Sequence, residues 1–172
     1  MLHRYLIALG SNVPHHAYGQ PRQILAAAAL MIGGGDAALE RMSPIVKTAP
    51  LGPSRRRFAN AAAIAQAALN PQEMLEHLQA IEAHFGRKAG GRRWAARVLD
   101  LDIVLWSGGI WCADGLAIPH VAFRTREFVL QPAAAIAPGW RDPVSGLTLR
   151  QLHARLTRAR PTLRWAAGGE GP

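Results

Sequence analysis

The sequence predicts an α+β fold with a ferredoxin-like βαββαβ core, in which an antiparallel sheet is flanked by helices and followed by a C-terminal extension. Three observations predict it. The first 106 residues give, in order, strand, helix, strand, strand, helix and strand patterns. A chain of 172 residues with 49% hydrophobic residues is the size of one domain and can bury a core. No linker or repeat divides it, so we expect one domain over residues 1–160 and a loosely ordered tail over residues 161–172.

Turn residues separate short apolar segments in the first half of the chain. Gly10-Ser11-Asn12 ends the first strand, and the glycines at 33–35 end an alanine-rich helix. A loop rich in proline, glycine and arginine, residues 50–57, separates two further strands, the second of which has alanines that would equally suit a helix. The predicted elements are a strand over residues 4–9, a helix over 18–32, and strands over 39–48 and 58–69.

The second half begins with a helix whose start is clearly marked. Asn70 is the predicted N-cap, Pro71 occupies the first helical position, and Glu73 lies in the first turn. Apolar residues then recur at helical spacing until Gly86. The later predicted elements are a basic loop over residues 87–96, a strand over 98–106, a turn at Gly108-Gly109, an extended segment near 116–119, a helix near 124–136 and a last helix from about residue 148.

Composition limits the classes of protein to which the chain can belong. The net charge is +9, and 18 of the 20 basic residues are arginine. The guanidinium group matches phosphate oxygens, so a polyanionic partner is one explanation and a biased genome is the other. A mean hydropathy of +0.02 argues against disorder.

The hydrophobic pattern of the sequence shows no signal for membrane insertion or export. The longest apolar run, residues 24–32, is too short to span a bilayer, and the first residues lack the long apolar segment of a signal peptide. The single cysteine, Cys112, excludes an internal disulfide and a thiolate zinc cluster. We therefore expect a cytoplasmic protein with no membrane partner.

Two carboxylates on one predicted strand are the sharpest chemical feature. Residues two apart on a strand share a face, which places Asp100 beside Asp102 and turns Leu99, Leu101, Ile103 and Leu105 toward the core. Two neighbouring carboxylates repel each other unless a cation or a proton joins them, and carboxylate oxygens suit Mg²⁺. The alternative is a solvated strand face with each aspartate paired to an arginine, which would be favoured if the motif stood alone.

The segment before this strand favours the metal interpretation. Residues 87–97 hold five positive charges, two glycines and Trp94. Arginines beside a metal site are typical of phosphoryl transfer, and the glycines suggest a loop that closes. The alternative is an exposed arginine-rich turn. Neither lysine follows a glycine, which excludes a Walker phosphate loop, so a nucleotide would be held by metal and arginines.

Two further groups of residues could bind a flat heterocycle and its phosphates. Phe58 offers a stacking face and Asn60 an amide on the same side of a strand, although a turn followed by a core strand is an equal alternative. His120 and Arg126 could contact phosphates, and Phe128 could be a second stacking ring. The alternative for this second group is a capping histidine and a solvated helix start.

Taken together, these segments resemble the 6-hydroxymethyl-7,8-dihydropterin pyrophosphokinase family of folate biosynthesis. The ordered set is far more specific than any one stretch, and it covers roughly residues 3–152. The matching stretches are ALGSN (8–12), TAPLGP (48–53), FANAA (58–62), IE with GR (81–82 and 86–87), RW with RVLDLDI (93–94 and 97–103), IPH (118–120) and REFVL (126–130).

The resemblance implies transfer of a diphosphoryl group from ATP to the hydroxymethyl oxygen of the pterin, with release of AMP. It implies two Mg²⁺ ions on Asp100 and Asp102, with Arg87 and Arg97 as the other catalytic residues. The ATP-binding residues it implies are Gln79, Glu82, Arg87, Arg97, Ile103, His120 and Arg126. The pterin-binding residues it implies are Thr48, Leu51, Phe58, Asn60, Trp94 and Phe128. The chain departs from the family at Ala89, where a further loop arginine is common, and at Ala95-Ala96, where Gly-Pro is usual.

Two rival interpretations remain at the level of sequence. A basic ferredoxin-like domain could be an RNA-binding module without catalysis, but no stretch matches the aromatic pattern of such modules and the central strand carries two acids. A family member that binds pterin without catalysis is the second, and the intact Asp100 and Asp102 argue against it. We expect small-molecule substrates, no nucleic acid partner, and a monomer.

Overall fold

The computed structural model describes residues 1–49, 57–87, 98–113 and 115–158. A 3₁₀ turn over Phe123–Thr125 precedes the third helix. The strands are β1 (His3–Ser11), β2 (Ala37–Met42), β3 (Val46–Thr48), β4 (Phe58–Ala67), β5 (Asp100–Trp106), β6 (Trp111–Ala113) and β7 (Leu116–Ile118). The helices are α1 (Pro21–Ile32), α2 (Pro71–His84), α3 (Glu127–Ile136) and α4 (Leu149–Thr157).

The main sheet has the strand order β2-β4-β1-β5, with β3 also paired to β4. Every pairing in this sheet is antiparallel. Strands β1 and β4 are therefore central, and β5 lies at one side of the sheet beside β1. The mixed α and β architecture and the antiparallel sheet confirm the predicted fold class.

Helices cover both faces of the sheet. Helices α1 and α2 pack on the first face, where the odd-numbered residues of β1 and β4 are buried. Helices α3 and α4 pack on the second face against Leu6, Ile64 and Val104. The second face carries Asn60, Gly10 and Asp100 at its other end, two strand positions or more beyond the residues that these helices cover.

The single strand predicted over residues 39–48 is two strands, β2 and β3. The ladder with β4 is interrupted at Ser43-Pro44, because proline has no N–H to donate. The Ser43 side chain substitutes there: its hydroxyl accepts a hydrogen bond from the Ala62 N–H at 3.0 Å. Strand β4 is a strand throughout, so the helical alternative for its alanines is excluded.

Predicted helix starts differ from the observed ones by a few residues. Gln20 is the N-cap of α1 and Pro21 is its first residue, so the helix begins three residues later than predicted. Residues 124–126 form the end of a 3₁₀ turn and the N-cap of α3 instead of its first turn. The predicted N-cap Asn70 is confirmed, and the last helix starts where it was predicted, with Thr148 as its N-cap. Both side chains accept hydrogen bonds from the first turn of their helices.

A β-bulge in β5 corrects one predicted side-chain direction. Ile103 pairs with Ile7 and Leu105 with Leu6, so Val104 is an extra residue on β5. The bulge turns Leu105 to the second face, where it packs beside Val104, whereas Leu99, Leu101 and Ile103 pack on the first face as predicted. The alternation of apolar residues did not reveal the bulge, because it depends on the register with β1.

The described residues include four helices, and none of these is long and apolar enough to cross a bilayer. The predicted tail, residues 161–172, lies outside the described residues, as does the larger part of the predicted basic loop.

Candidate active site

Asp100 and Asp102 lie side by side on the second face of the sheet, as their spacing predicts. Their side chains are 36% and 40% exposed. On β1, Gly10 pairs with Asp100, and Ala8 pairs with Asp102. The neighbouring β1 residues are small, so little side-chain bulk stands beside the two carboxylates.

Gly10 also connects the carboxylates to the predicted heterocycle site. It pairs with Asn60 of β4 on one side and with Asp100 of β5 on the other, so these three residues form one row across three strands. A Cβ atom at Gly10 would lie 3.4 Å from Asn60 Oδ1. The sequence identified Gly10 only as part of a turn. Its position between Asn60 and Asp100 depends on strand register. Its place in the ALGSN stretch was the one signal in the sequence that could have indicated a role.

The end of α2 positions Arg87 beside the carboxylates. Gly86 adopts φ +87°, and the N–H groups of Gly86 and Arg87 donate to the carbonyls of Ala83 and Glu82. This Schellman ending ends the helix directly before Arg87. The Arg87 guanidinium then forms an ion pair with the Glu82 carboxylate, and its Nη1 lies 3.6 Å from Asp100 Oδ1.

Glu82 is buried, with 1% of its side chain exposed. Its Oε1 accepts a hydrogen bond of 2.8 Å from the N–H of Leu101, the residue between the two aspartates, and its Oε2 pairs with Arg87. Burial raises the pKa of Glu82, and the bonds from Leu101 and Arg87 oppose that rise. The buried carboxylate of Glu82 therefore connects α2 to β5 and to Arg87.

His120 is bonded through its backbone to the bulge residue of β5. Its N–H donates to the carbonyl of Val104, and its Nδ1 accepts a hydrogen bond from the Ala122 N–H at 3.2 Å. An accepting Nδ1 places the proton of the neutral ring on Nε2, which lies 3.9 Å from Asp102 Oδ2. Burial lowers the pKa of His120 and Arg126 acts in the same direction, against the opposite effect of the two aspartates.

Arg126 and Phe128 lie at the start of α3. Arg126 is the N-cap, and its guanidinium carbon lies 5.8 Å from the centre of the Phe128 ring. Phe128 is half-buried and packs at the edge of the second core cluster. Helix α3 contacts β3 and β4, the two strands that carry Thr48 and Phe58.

Asn60 has a fixed orientation. It is 4% exposed, and its Nδ2 donates a hydrogen bond of 2.7 Å to Thr48 Oγ1. Phe58 is half-buried and pairs with Thr48 across β3 and β4. The structure therefore brings Thr48, Phe58 and Asn60 together.

Five other predicted residues are placed differently or are not described. Gln79 is exposed on α2, whereas the Ile103 side chain is buried in the core, so a contact of Ile103 with ATP would use its backbone. Leu51, Trp94 and Arg97 lie outside the described residues.

The donor set of β5 fits a hard divalent cation. Within the described part of the chain, no group of three His, Cys, Asp or Glu side chains is arranged to hold a metal ion. Mg²⁺ does not need such a group, because it usually keeps several waters and binds one or two carboxylates together with substrate phosphates. Two partly exposed carboxylates on one face, with Arg87 beside Asp100 and His120 beside Asp102, meet that requirement.

Comparison with known proteins agrees with this geometry. The sequence model of the family described as 7,8-dihydro-6-hydroxymethylpterin-pyrophosphokinase matches residues 6–138. The chain is 39% identical over 145 residues to a Pseudomonas aeruginosa protein named 2-amino-4-hydroxy-6-hydroxymethyldihydropteridine pyrophosphokinase, covering 83% of this chain and 86% of that protein. A Synechocystis protein of the same name is 35% identical over 150 residues, covering 87% and 74%.

Solved structures share the fold. A Plasmodium falciparum HPPK-DHPS structure matches with a TM-score of 0.68 at 13% identity, covering 90% of this chain. A structure described as HPPK-DHPS in complex with substrates matches with a TM-score of 0.70 at 11% identity, covering 89% of this chain. This chain spans 45% and 44% of those longer chains. With the family match over most of the sequence and relatives at 35–39% identity, the chain belongs to the 7,8-dihydro-6-hydroxymethylpterin-pyrophosphokinase family.

Proposed function

We propose that this chain transfers the terminal diphosphoryl group of ATP to the hydroxymethyl oxygen of 6-hydroxymethyl-7,8-dihydropterin, a step of folate biosynthesis. Membership of the pyrophosphokinase family supports the reaction, and the names of the relatives state it. The observation that carries the proposal is the row Asn60–Gly10–Asp100, which sets an amide for a heterocycle within two strand spacings of the paired carboxylates.

In this reaction, the pterin oxygen forms a bond to the β-phosphorus as the bond between that phosphorus and the α–β bridging oxygen breaks. The bridging oxygen leaves with AMP. The hydroxyl proton goes to a carboxylate oxygen of Asp100 or Asp102, or to water. We assign Arg87, with Arg97, to the phosphate charge that develops, because charge neutralisation and positioning are the main contributions of a protein to such transfers.

Mg²⁺ held by Asp100 and Asp102 would neutralise the triphosphate and acidify a bound hydroxyl. The Nε2–H of His120, which lies near Asp102, and the guanidinium of Arg126 would donate to ATP phosphates. Gln79 would contact the nucleotide from the exposed side of α2. Two ions are expected.

On the pterin side, the bond from Asn60 to Thr48 leaves Asn60 Oδ1 to accept from the heterocycle edge. Phe58 and Phe128 would stack on its two faces, with Leu51 and Trp94 completing the pocket. The monomeric state, the cytoplasmic location, and the absence of nucleic acid and membrane partners stay predictions, as does the domain boundary at residue 160.

The test is AMP release from ATP, measured with and without 6-hydroxymethyl-7,8-dihydropterin and with and without Mg²⁺. We expect AMP only when both are present. Folded protein that releases no AMP under any of these conditions would contradict the proposal. The RNA-binding alternative would instead give RNA affinity that falls steeply with salt and does not need Mg²⁺.

A further inference from the structure

The segment from His120 to Phe128 carries three predicted site residues but little regular structure of its own. It contains one 3₁₀ turn and the first residues of α3. Phe123 anchors its middle in the second core cluster, where it is fully buried. A single apolar anchor fixes position but leaves rotation about it, so another contact must set the direction in which Arg126 points.

Arg124 makes that contact. Its Nε donates to Asp142 Oδ2 at 2.7 Å and its Nη2 to Asp142 Oδ1 at 2.6 Å, which is a two-bond fork with a fixed plane. The guanidinium also lies over the Phe123 ring, 4.7 Å from its centre. Arg124 therefore crosses from the 3₁₀ turn to the connection between α3 and α4.

Asp142 is held in place independently of Arg124. Its side chain is fully buried, and its carboxylate also accepts from the N–H groups of Val144 and Ser145 and from the Ser145 hydroxyl. The N–H of Asp142 donates to the Leu147 carbonyl, which closes the same turn. A carboxylate already fixed by its own turn is a rigid support for an arginine.

We propose that Arg124 and Asp142 form a clamp that positions His120 and Arg126 for the phosphates of ATP, with Arg124 as a positioning residue. This inference depends on the proposed function only in taking these two residues to face the nucleotide. Arg124 lies two residues before Arg126, and the same turn begins at the His120 carbonyl, which accepts from the Phe123 N–H. Phe128 lies within α3, whose own packing fixes it, so the clamp should not affect the pterin.

The test compares Arg124→Lys with wild type in two binding titrations, one with α,β-methylene-ATP and Mg²⁺ and one with the pterin alone. Lysine keeps the charge but cannot form the fork. Arg4→Lys is the matched control, since Arg4 also donates through Nε and Nη2 to a carboxylate, that of Glu40, at the end of β1 far from Gly10. Asp142→Asn is the second variant, and it removes the charged acceptor of the same pair.

We expect the Kd for the ATP analogue to rise about tenfold in Arg124→Lys, as for other residues that orient a ligand-binding group, with the pterin Kd changed less than twofold. KM for ATP should rise with it, and Arg4→Lys should match wild type. Equal losses of nucleotide and pterin affinity, or an unchanged Kd for the analogue, would overturn the clamp. Arg124→Lys decides the outcome if Asp142→Asn does not fold. Wild type that binds the analogue but releases no AMP would contradict the proposed function alone.

Discussion

Asp142 and the pair Asp100 and Asp102 are both aspartates with an arginine nearby, yet they differ in almost every physical respect. Asp142 is fully buried and accepts hydrogen bonds from Arg124 and from its own turn. Asp100 and Asp102 are more than a third exposed, and Arg87 stands 3.6 Å from Asp100. Burial with complete pairing indicates a structural carboxylate, whereas exposure beside a second carboxylate indicates one that binds a ligand.

The difference also appears in the proton equilibrium of Asp142. Hydrogen bonds from Arg124, Ser145 and Val144 outweigh burial and lower the pKa of Asp142 from 3.8 to about 2. A group whose charged form is this well satisfied has nothing to offer a substrate. Substitutions at the two kinds of aspartate should therefore separate effects on activity from effects on stability.

The largest expected effect is on activity, from Asp100→Asn and Asp102→Asn. Each change removes a proposed metal ligand, and we expect AMP formation to fall about 10³-fold, as for other electrostatic contributions to a transition state. The free energy of unfolding should stay near that of wild type, because both side chains are partly solvated. Asp36→Asn, an exposed change in the turn before β2, is the control and should keep full activity. A rate within tenfold of wild type in either site variant would remove the metal assignment.

The next effect is on stability, from Asp142→Asn. The change removes the charge of a fully buried carboxylate that pairs with the Arg124 guanidinium, and we expect a loss of about 3 kcal/mol in the free energy of unfolding in urea. Glu40→Gln breaks the exposed pair with Arg4, whose side chains are 48% and 32% exposed, and should cost less than 1 kcal/mol. Equal losses in the two variants would show that burial does not set the strength of the Asp142 pair.

The stability difference between wild type and Asp142→Asn should also depend on pH. Because the folded pKa of Asp142 lies below its ordinary value, the stabilisation is complete above about pH 4 and is lost as the pH falls through 2. The shift corresponds to about 2 kcal/mol. Urea unfolding of both proteins at pH 7, 4 and 2.5 measures it. A difference that stays constant down to pH 2.5 would contradict the low pKa.

Patterns in the sequence predict the features that depend on interactions between residues close together in the chain. The spacing of Asp100 and Asp102 placed both on one strand face, and Asn70-Pro71 fixed the start of α2. The order of elements was enough to predict the antiparallel sheet. The first two of these predictions follow from residues within one helical turn or two strand positions of each other, and the third from the order of such local patterns.

Features that depend on partners distant in the chain could not be predicted in this way. The bulge at Val104 is a property of its register with β1, and the carbonyl of this residue accepts a hydrogen bond from the His120 N–H. The row through Gly10 needs two registers at once. Arg124 pairs with Asp142 across 18 residues, and a sequence with 18 arginines gives no reason to choose that one.

Glu82 shares a property with each kind of aspartate, since it is buried like Asp142 but lies against the site. In Glu82→Gln the side-chain oxygen can still accept from the Leu101 N–H, so β5 stays in place, while the charge opposite Arg87 is lost. We expect kcat to fall about tenfold, as for outer partners of ligand-binding groups, with KM for ATP changed less. Stability should change little, because burial already raises the pKa of Glu82 and Arg87 is 40% exposed.

The control for this last variant is Glu76→Gln, an exposed glutamate on the same helix, which should behave as wild type. If Glu82→Gln raised KM for ATP without lowering kcat, Glu82 would be a direct nucleotide contact, as the family resemblance implies. A fall in kcat at constant KM would instead mean that a buried carboxylate acts on the reaction through Arg87 and Leu101. Burial alone would then not distinguish structural carboxylates from functional ones. The distinction would depend on which groups the buried carboxylate holds in place.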